Sequence, residues 1–485
     1  MRLLVFAMLL LLAGCSVGPK YRRPTAGAPP AFKEHGPLET DEWKTAHPNE
    51  GELKGNWWEL FGDPQLNALE AKVSISNQNV LQAEAQFRQA RALVASNRAN
   101  YFPSIGVSPS ITSGSRGGSS NLNPSGVVTS NGSKQYSQFN LPFGVSWEPD
   151  LWGRVRLSVE SASASAQSFA ANLENLRLSA QAELATDYFL LRSIDAEEKI
   201  LASTITEYER ALQLTQNRFQ GGVSSRADIV QAQSQLETTR ALATDLGVAR
   251  AQYEHAIAVL TGEAPASLTI EQGDLIGNPP PVPVALPSQL LERRPDIAAA
   301  ERRVAAANAE IGLAQTAYYP NLSLTGSAGF ASSSITNWFA WPSRIWSVGP
   351  ALSQTLFDFG RRRAEVRISE AAYDATVAAY RQTVLTALQE VEDNLAALRI
   401  LERESLEQQS AYSAAQESLQ LINVQYKAGT VSYLNVIQAQ AIALSSQRAL
   451  VNVLRDRMTA TVQLIRYLGG GWNASQLPTA ADLRK

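Results

Sequence analysis

The sequence predicts an elongated α+β protein that contains a two-fold internal repeat and has strands of the outer-membrane type. Three observations predict this class. Two stretches, 154–220 and 361–428, contain neither glycine nor proline, so each can form an uninterrupted helix of roughly 100 Å. Several motifs recur 207 residues further along the chain. Short segments that alternate apolar and polar residues lie between the helical regions.

The composition excludes two broad classes. At 485 residues and 45% hydrophobic content, the chain is too apolar to be intrinsically disordered. Its net charge of −3 provides no electrostatic reason to expect a nucleic-acid partner.

The N-terminal residues predict a secretory signal peptide over 1–14. The run "MRLLVFAMLLLLAGC" has one basic residue, an apolar core and then small residues, and it is too short to span a bilayer. Its end, Leu12-Ala13-Gly14-Cys15, resembles a bacterial lipobox. That resemblance implies a covalent lipid on Cys15, the only cysteine, and Ser16 after it implies sorting to the outer membrane. No other cofactor and no metal site are predicted.

The rest of the chain divides by composition and by the repeat. "LWGR" at 151–154 recurs as "DFGR" at 358–361. The predicted organisation is a lipidated tether over 15–56, a first repeat over 57–270 with a β-hairpin near 101–149, a second repeat over 271–472 with a β-hairpin near 319–357, and a C-terminal tail over 473–485. The first copy has extra residues, and we assign them to the Gly/Ser/Asn-rich tract 112–134, predicted as a loop.

The helices of each copy are bounded by glycine and proline. After each long helix, 223–261 and 430–468 predict a returning helix of about 39 residues. Upstream, 65–102 and 288–319 predict further helices. Two shorter helices stacked end to end match one long helix in length. Helices this long favour an elongated coiled coil.

The strand candidates alternate with a period of two. In "FNLPFGVSWE" (139–148) every second residue from Phe139 to Trp147 is apolar, as in an outer-membrane strand. Residues 321–328 and 346–356 are less regular, and a soluble sheet with one buried face would alternate in the same way. Four strands cannot close a barrel, which needs about eight. If these strands span a membrane, three chains would supply twelve. The nearby aromatic residues could then form an interfacial girdle: Trp338, Phe339, Trp341 and Trp346.

The two glycine turns are near-duplicates, "QGGVSSRADIVQAQ" (220–233) and "KAGTVSYLNVIQAQ" (427–440). Gly222 and Gly429 are predicted to end their helices in the left-handed conformation. Ser224 and Ser432 are predicted to cap the helices that follow.

The combination of motifs resembles one family. The lipobox, "NWWELFGDPQLNAL" (56–69), the duplicated turns, "LPSQLLERRPDI" (286–297) and "YLGGGW" (467–472) together resemble the TolC-like outer membrane factors, most closely the OprM-like lipoprotein branch of resistance–nodulation–division (RND) efflux pumps. The resemblance implies a homotrimer with a 12-stranded outer-membrane β-barrel, four strands from each chain, continued by a long α-helical coiled-coil tunnel through the periplasm. It also implies a periplasmic adaptor protein and an inner-membrane RND pump as partners.

The function implied by this resemblance is a passive exit duct of a tripartite efflux system, lipid-anchored in the outer membrane and extending into the periplasm. The exit duct of a type I protein secretion system shares the fold and is one alternative. A lipid-tethered coiled-coil scaffold without a pore is another. No enzyme is predicted, because the three histidines are scattered and no phosphate-binding loop or nucleophile elbow is present.

The resemblance also points to residues at the hairpin tips. It places a periplasmic gate around Tyr426 and Leu434, and it puts Asn435 and Gln438 where relatives carry acidic rings. Asp228 aligns with Asn435 and could supply negative charge. The expected adaptor contacts are Gly222, Val223, Ser224, Gly429, Thr430 and Val431.

We expect the gate to close by packing of Leu434 and hydrogen bonding among Tyr426, Asn435 and Gln438. The alternative is that Leu434 is coiled-coil core and Gln438 a solvated helix position. In the long second helix, Glu390, Glu392 and Asp393 are expected to form a solvated or intersubunit face.

Overall fold

The structure is a computed structural model that describes residues 17–27, 29–34, 55–116, 120–122, 128–130, 134–275, 277–282 and 290–484. The signal peptide and Cys15 lie outside these residues, so cleavage and lipidation stay predictions. The helices are α1 Pro64–Ser76, α2 Gln78–Ala99, α3 Arg154–Gln220, α4 Arg226–Leu260, α5 Leu290–Arg293, α6 Pro295–Thr316, α7 Arg361–Lys427 and α8 Tyr433–Tyr467. The strands are β1 Ser104–Val107, β2 Ser110–Arg116, β3 Ser120–Leu122, β4 Val128–Ser130, β5 Lys134–Trp147, β6 Asn321–Ser332 and β7 Arg344–Ser353.

The helix lengths match between the two halves of the chain. α3 and α7 each have 67 residues, which confirms the prediction from the absence of glycine and proline. α4 and α8 each have 35 residues, fewer than expected, because the residues directly after each glycine turn stay outside the helix. None of the helices in the described ranges has the length and apolar character that a membrane-spanning helix requires.

The upstream helices are interrupted where the sequence analysis expected continuity. Asn77 is extended between α1 and α2, and its side chain accepts hydrogen bonds from the backbone N–H groups of Asn79 and Val80. An asparagine that caps one helix ends the preceding one. In the second half, Arg294 is extended before Pro295, as expected for a residue that precedes proline.

The main sheet is antiparallel, with the order β1-β5-β6-β7. β1 and β2 lie end to end against β5, so the chain supplies four strand positions. Most of β2 and all of the short pair β3–β4 fall inside the tract 112–134, so the loop prediction for that tract is wrong in part. Its Gly, Ser and Asn residues lowered the apparent strand propensity, but cross-strand pairing overrides this preference.

The register of the main sheet separates an apolar face from a polar one. Two rows of paired residues on one face are Val107–Phe143–Ala328–Trp346 and Ile105–Val145–Gly326–Val348. The rows that alternate with them are Gly106–Gly144–Ser327–Ser347 and Ser104–Ser146–Thr325–Gly349. The apolar face is exposed in this chain, with Trp346 and Val348 at 76% and 80% exposure. Trp341 and Phe339 are exposed beside it.

The largest core lies where α1, α3, α7 and α8 meet. It is built around large, fully buried side chains such as Trp57, Tyr188, Phe189 and Tyr380. Tyr188 also donates a hydrogen bond of 2.5 Å to Asp63, the residue that caps α1. The N-terminal motif "NWWELFGDP" is therefore part of this core.

The N-terminal segment 17–34, of which all but residue 28 is described, packs on the helices. Its start lies against α6, where Asn308 Nδ2 donates to the Pro19 carbonyl at 2.9 Å. Its end lies against α7, where the Glu392 carboxylate accepts from the backbone N–H groups of Lys33 and Glu34. The expectation of a solvated or intersubunit face is therefore wrong for Glu392. Glu390 is partly exposed and pairs with Arg294 of its own chain at 2.7 Å.

Replacing Gly18 with alanine should release the start of this segment from α6. Gly18 has φ +101, and an added Cβ would lie 2.7 Å from the Cα of Gly312. Alanine is strained at this φ, and the clash is with backbone, which cannot move aside. We expect faster proteolysis within 17–34. Gly27→Ala is the matched control, since a Cβ there meets nothing within 4 Å. Equal cleavage of the two variants would contradict the prediction.

Candidate functional site at the hairpin tips

The two glycine turns close in the same way. Gly222 and Gly429 have φ of 74 and 79, which confirms the predicted left-handed conformation. In the first turn the N–H of Val223 donates to the Arg218 carbonyl at 2.8 Å. In the second, the N–H of Thr430 donates to the Gln425 carbonyl at 3.0 Å. These bonds satisfy carbonyls that the helix end leaves free, so each helix stops sharply.

The capping residues differ from those expected. Ser224 does not cap α4, because its hydroxyl donates to the Thr215 carbonyl at 3.1 Å. Ser225 is the N-cap, and it forms a capping box with Asp228. Ser432 does hold the N-cap position of α8, but its hydroxyl donates to Asn435 Oδ1 at 2.8 Å and makes no capping bond to the backbone. Ser224 and Ser225 are adjacent and both are suitable N-cap residues, so the sequence alone does not determine which of them caps α4.

Asp228 therefore has a local role within its own chain. Its Oδ2 accepts from the backbone N–H of Ser225 at 2.9 Å. Its negative charge lies at the N-terminus of α4, where the helix dipole stabilises it. Burial, followed by the neighbouring tyrosines and then Asp228, raises the pKa of the Tyr433 hydroxyl to about 12.

A tip cluster of Arg218, Tyr426 and Tyr433 joins the first hairpin to the second. The rings of Tyr426 and Tyr433 lie 5.4 Å apart. The guanidinium carbon of Arg218 lies 4.5 Å from the centre of the Tyr426 ring, and its Nη1 donates to the Tyr426 carbonyl at 3.0 Å. Tyr426 was predicted from the sequence, whereas Arg218 and Tyr433 were not. The Arg218 contact joins residues 208 apart, and no local pattern marks it.

The other expected gate residues lie on the exposed face of α8. Leu434 is 48% exposed, and Asn435 and Gln438 are also exposed. Their spacing places Leu434 and Gln438 one turn apart on one face. Tyr426 is buried, and its hydroxyl has no partner among the described residues. One chain therefore does not bring Tyr426 together with Asn435 and Gln438, and Leu434 is not part of the core that this chain forms.

The expected adaptor-contact residues are at the ends of the hairpins. Val223 is 67% exposed, and Gly222, Gly429 and Thr430 are exposed as well. Val431 differs, because it is partly buried and packs against the tip cluster and its apolar neighbours. The two tips thus present related but unequal surfaces.

Replacing Arg218 with alanine should loosen the contact between the two hairpins. The variant loses a cation–π contact, about 0.5–2 kcal/mol, and a hydrogen bond between α3 and α7. We expect faster hydrogen exchange at both tips, 212–222 and 420–432. Arg226→Ala is the matched control, because Arg226 is an exposed arginine at the same tip. If the Arg226 variant loosens the tips as much, the tip cluster has no special part in holding them.

Comparison with known proteins identifies the family. The sequence profile of the outer membrane efflux protein family matches residues 71–263 and 286–470. The solvent efflux pump outer membrane protein SrpC of Pseudomonas putida is 31% identical over 96% of this chain and 98% of its own length. The outer membrane protein OprJ of Pseudomonas aeruginosa is 30% identical over 96% of this chain and 94% of its own length.

A solved structure agrees with these matches. The structure of the outer-membrane channel OprN superposes with a TM-score of 0.84 at 32% identity, over 94% of this chain and all of that one. The sequence matches and this superposition both extend over nearly the whole chain. The chain therefore belongs to the outer membrane efflux protein family, and it is an outer membrane efflux channel protein rather than an enzyme.

Proposed function

We propose that three copies of this chain form the exit duct of a tripartite efflux system. The observation that carries the proposal is the main sheet. It has four strand positions, its edges at β1–β2 and β7 are unpaired within the described residues, and most of its apolar face is exposed, including Trp346 and Val348. Unpaired edges attract further strands. Three such sheets joined edge to edge give a closed barrel of twelve strands, with the apolar face towards lipid.

The same assembly would continue as a tunnel built from α3, α4, α7 and α8 of each copy. Each chain contributes two hairpins, so six tips would surround the periplasmic mouth. Leu434, Asn435 and Gln438 are exposed in one chain and would face the neighbouring copies there. We propose that packing of Leu434 and hydrogen bonding by the side-chain amides of Asn435 and Gln438 hold the mouth closed. The buried Tyr426 would position the second hairpin.

The partners follow from this arrangement. The exposed tips, with Val223, Gly429 and Thr430, would bind a periplasmic adaptor that connects the duct to an inner-membrane RND pump. Small molecules would then cross the duct by diffusion, since the pump supplies the energy. The lipid on Cys15 would add a second attachment to the outer membrane.

Conductance of the purified trimer in planar bilayers tests the proposal. We expect a small conductance for the unaltered protein and a several-fold increase for Leu434→Ala, because that variant removes apolar packing at the mouth. Ile442→Ala is the matched control, an exposed apolar residue further along α8. Gln438→Asp should make the conductance depend on pH, since it places a titratable ring at the mouth.

The alternatives predict different results. A scaffold without a pore predicts no conductance from any variant. A type I secretion duct predicts that a pull-down from cells recovers the adaptor of a protein secretion system instead of an RND adaptor. If Leu434→Ala and Ile442→Ala behave alike, the assignment of the gate to Leu434 is wrong.

A further inference from the structure

The N-terminal segment 17–34 crosses from α6 to α7 and is fixed at both ends. At its start Asn308 binds the Pro19 carbonyl, and the Tyr21 hydroxyl donates to the carboxylate of Glu301. In between, Tyr21, Ala26 and Phe32 pack against the main core. The segment is thus a strap across the second half of the chain, and its far end reaches the middle of α7.

Glu392 holds that far end by the backbone. Its Oε1 accepts from the N–H of Lys33 at 2.6 Å, and its Oε2 accepts from the N–H of Glu34 at 2.8 Å. Arg399, two turns further along α7, donates to the Glu34 carboxylate at 2.6 Å. Hydrogen bonds in which one partner is charged are among the stronger ones in proteins. Glu392 and Arg399 therefore clamp one short piece of strap against one face of α7.

The burial of α7 changes at the same place. From Tyr380 to Leu398 the helix buries one side chain on every turn: Tyr380, Val384, Ala387, Val391, Leu395 and Leu398. Beyond Leu398 it buries only Ala415 and, at the tip, Tyr426. The clamped stretch therefore lies at the end of the part of α7 that the core holds, which finishes with the partly buried Leu401. The roughly 40 Å beyond it depends on α8 and on the tip cluster.

We infer that Glu392 and Arg399 are positioning residues that set the pivot about which the α7–α8 hairpin moves. The core and the strap hold α7 down to Arg399, and the weakly buried part beyond can swing as one arm. Loss of the clamp would move the pivot towards the core and lengthen that arm. The role of this pivot in gating rests on the proposed function, whereas the position of the pivot can be measured independently of that function.

Region-resolved hydrogen exchange of the full-length trimer in detergent tests the pivot. For Glu392→Gln we expect exchange to rise about tenfold in 29–34 and also in 400–427, with 380–391 unchanged. Glu34→Gln, which alters the strap and no helix, should give the same pattern. Asp393→Asn is the control, because within the described residues the exposed Asp393 carboxylate accepts a bond only from Gln389, on its own helix. In planar bilayers the two clamp variants should also raise the conductance at least twofold.

The outcomes separate the inference from the proposed function. Faster exchange in 29–34 alone, with 400–427 unchanged, would overturn the pivot. So would a general increase that includes 380–391, since that would show only a loss of stability. If Leu434→Ala trimers carry no current, the proposed duct fails, while the exchange pattern still decides whether Glu392 and Arg399 fix α7.

Discussion

Asp195→Asn is expected to destabilise the region where α3, α4 and the segment 268–275 meet by about 3–5 kcal/mol. Asp195 is nearly fully buried and accepts from two arginines, Arg192 at 2.7 Å and Arg250 at 2.8 Å. It also accepts from the backbone N–H of Gly273 at 3.1 Å. Asparagine keeps the shape but loses the charge, so it leaves the buried Arg192 without a carboxylate partner.

The loss should appear first in 268–275, because the network ties that segment down. Arg192 donates to the Glu271 carbonyl and Arg250 to the Ile270 carbonyl, both at 2.7 Å. Hydrogen exchange in peptides that cover 268–275 measures the effect directly. The control is Asp274→Asn, since Asp274 pairs with Lys199 where both side chains are more than three-quarters exposed. Such exposed pairs contribute little. Equal exchange in the two variants would show that Asp195 does not hold the segment.

The long elements of the fold were predictable because their signals are local. Absence of glycine and proline fixes the extent of α3 and α7, and the left-handed turns need only Gly222 and Gly429. The strands near 139–148, 321–328 and 346–356 followed from a period of two. The N-cap of α4 was less predictable, since Ser224 and Ser225 are the same residue type and either could cap the helix.

Contacts between distant parts of the chain were not predictable. Arg218 meets Tyr426 only because two long helices bring residues 208 apart together at their ends. Glu392 was expected on a solvated or intersubunit face, yet it binds the backbone of Lys33 and Glu34. A backbone N–H has no signature in the sequence, so no pattern of side chains could have pointed to this partner.

Glu70 on α1 is a buried carboxyl that no sequence pattern suggested, and its burial lowers the stability of the protein. The side chain has no exposed surface, and neither carboxylate oxygen has a hydrogen-bond partner among the described residues. Its neighbours on α1 in sequence, Leu66, Leu69 and Val73, are members of the main core. Burial therefore raises the pKa of the Glu70 carboxyl well above its ordinary range.

A raised pKa in the folded state gives stability a definite pH dependence. Below the unfolded-state pKa of about 4.3, Glu70 is protonated in both states and imposes no charge penalty. As the pH rises towards the folded-state value, the unfolded chain releases the proton and the folded chain does not, so the free energy of unfolding falls. The protein should thus lose stability through this group as the pH rises from about 4.3 towards the raised folded-state pKa.

Glu70→Leu should remove that loss and raise the melting temperature of the protein, with a gain of about 1–3 kcal/mol from the absent unpaired polar group. The gain should be larger at pH 8 than at pH 5, because the cost of keeping the native glutamate protonated grows as the pH rises above the unfolded-state pKa. Thermal unfolding followed by circular dichroism at the two pH values measures it. Glu84→Leu on α2 is the control, since Glu84 is exposed and should show no such pH dependence. If the Glu70 variant gains the same stability at both pH values, the Glu70 carboxyl of the unaltered protein ionises in the folded state. The core around α1 would then admit water or another partner for the carboxylate.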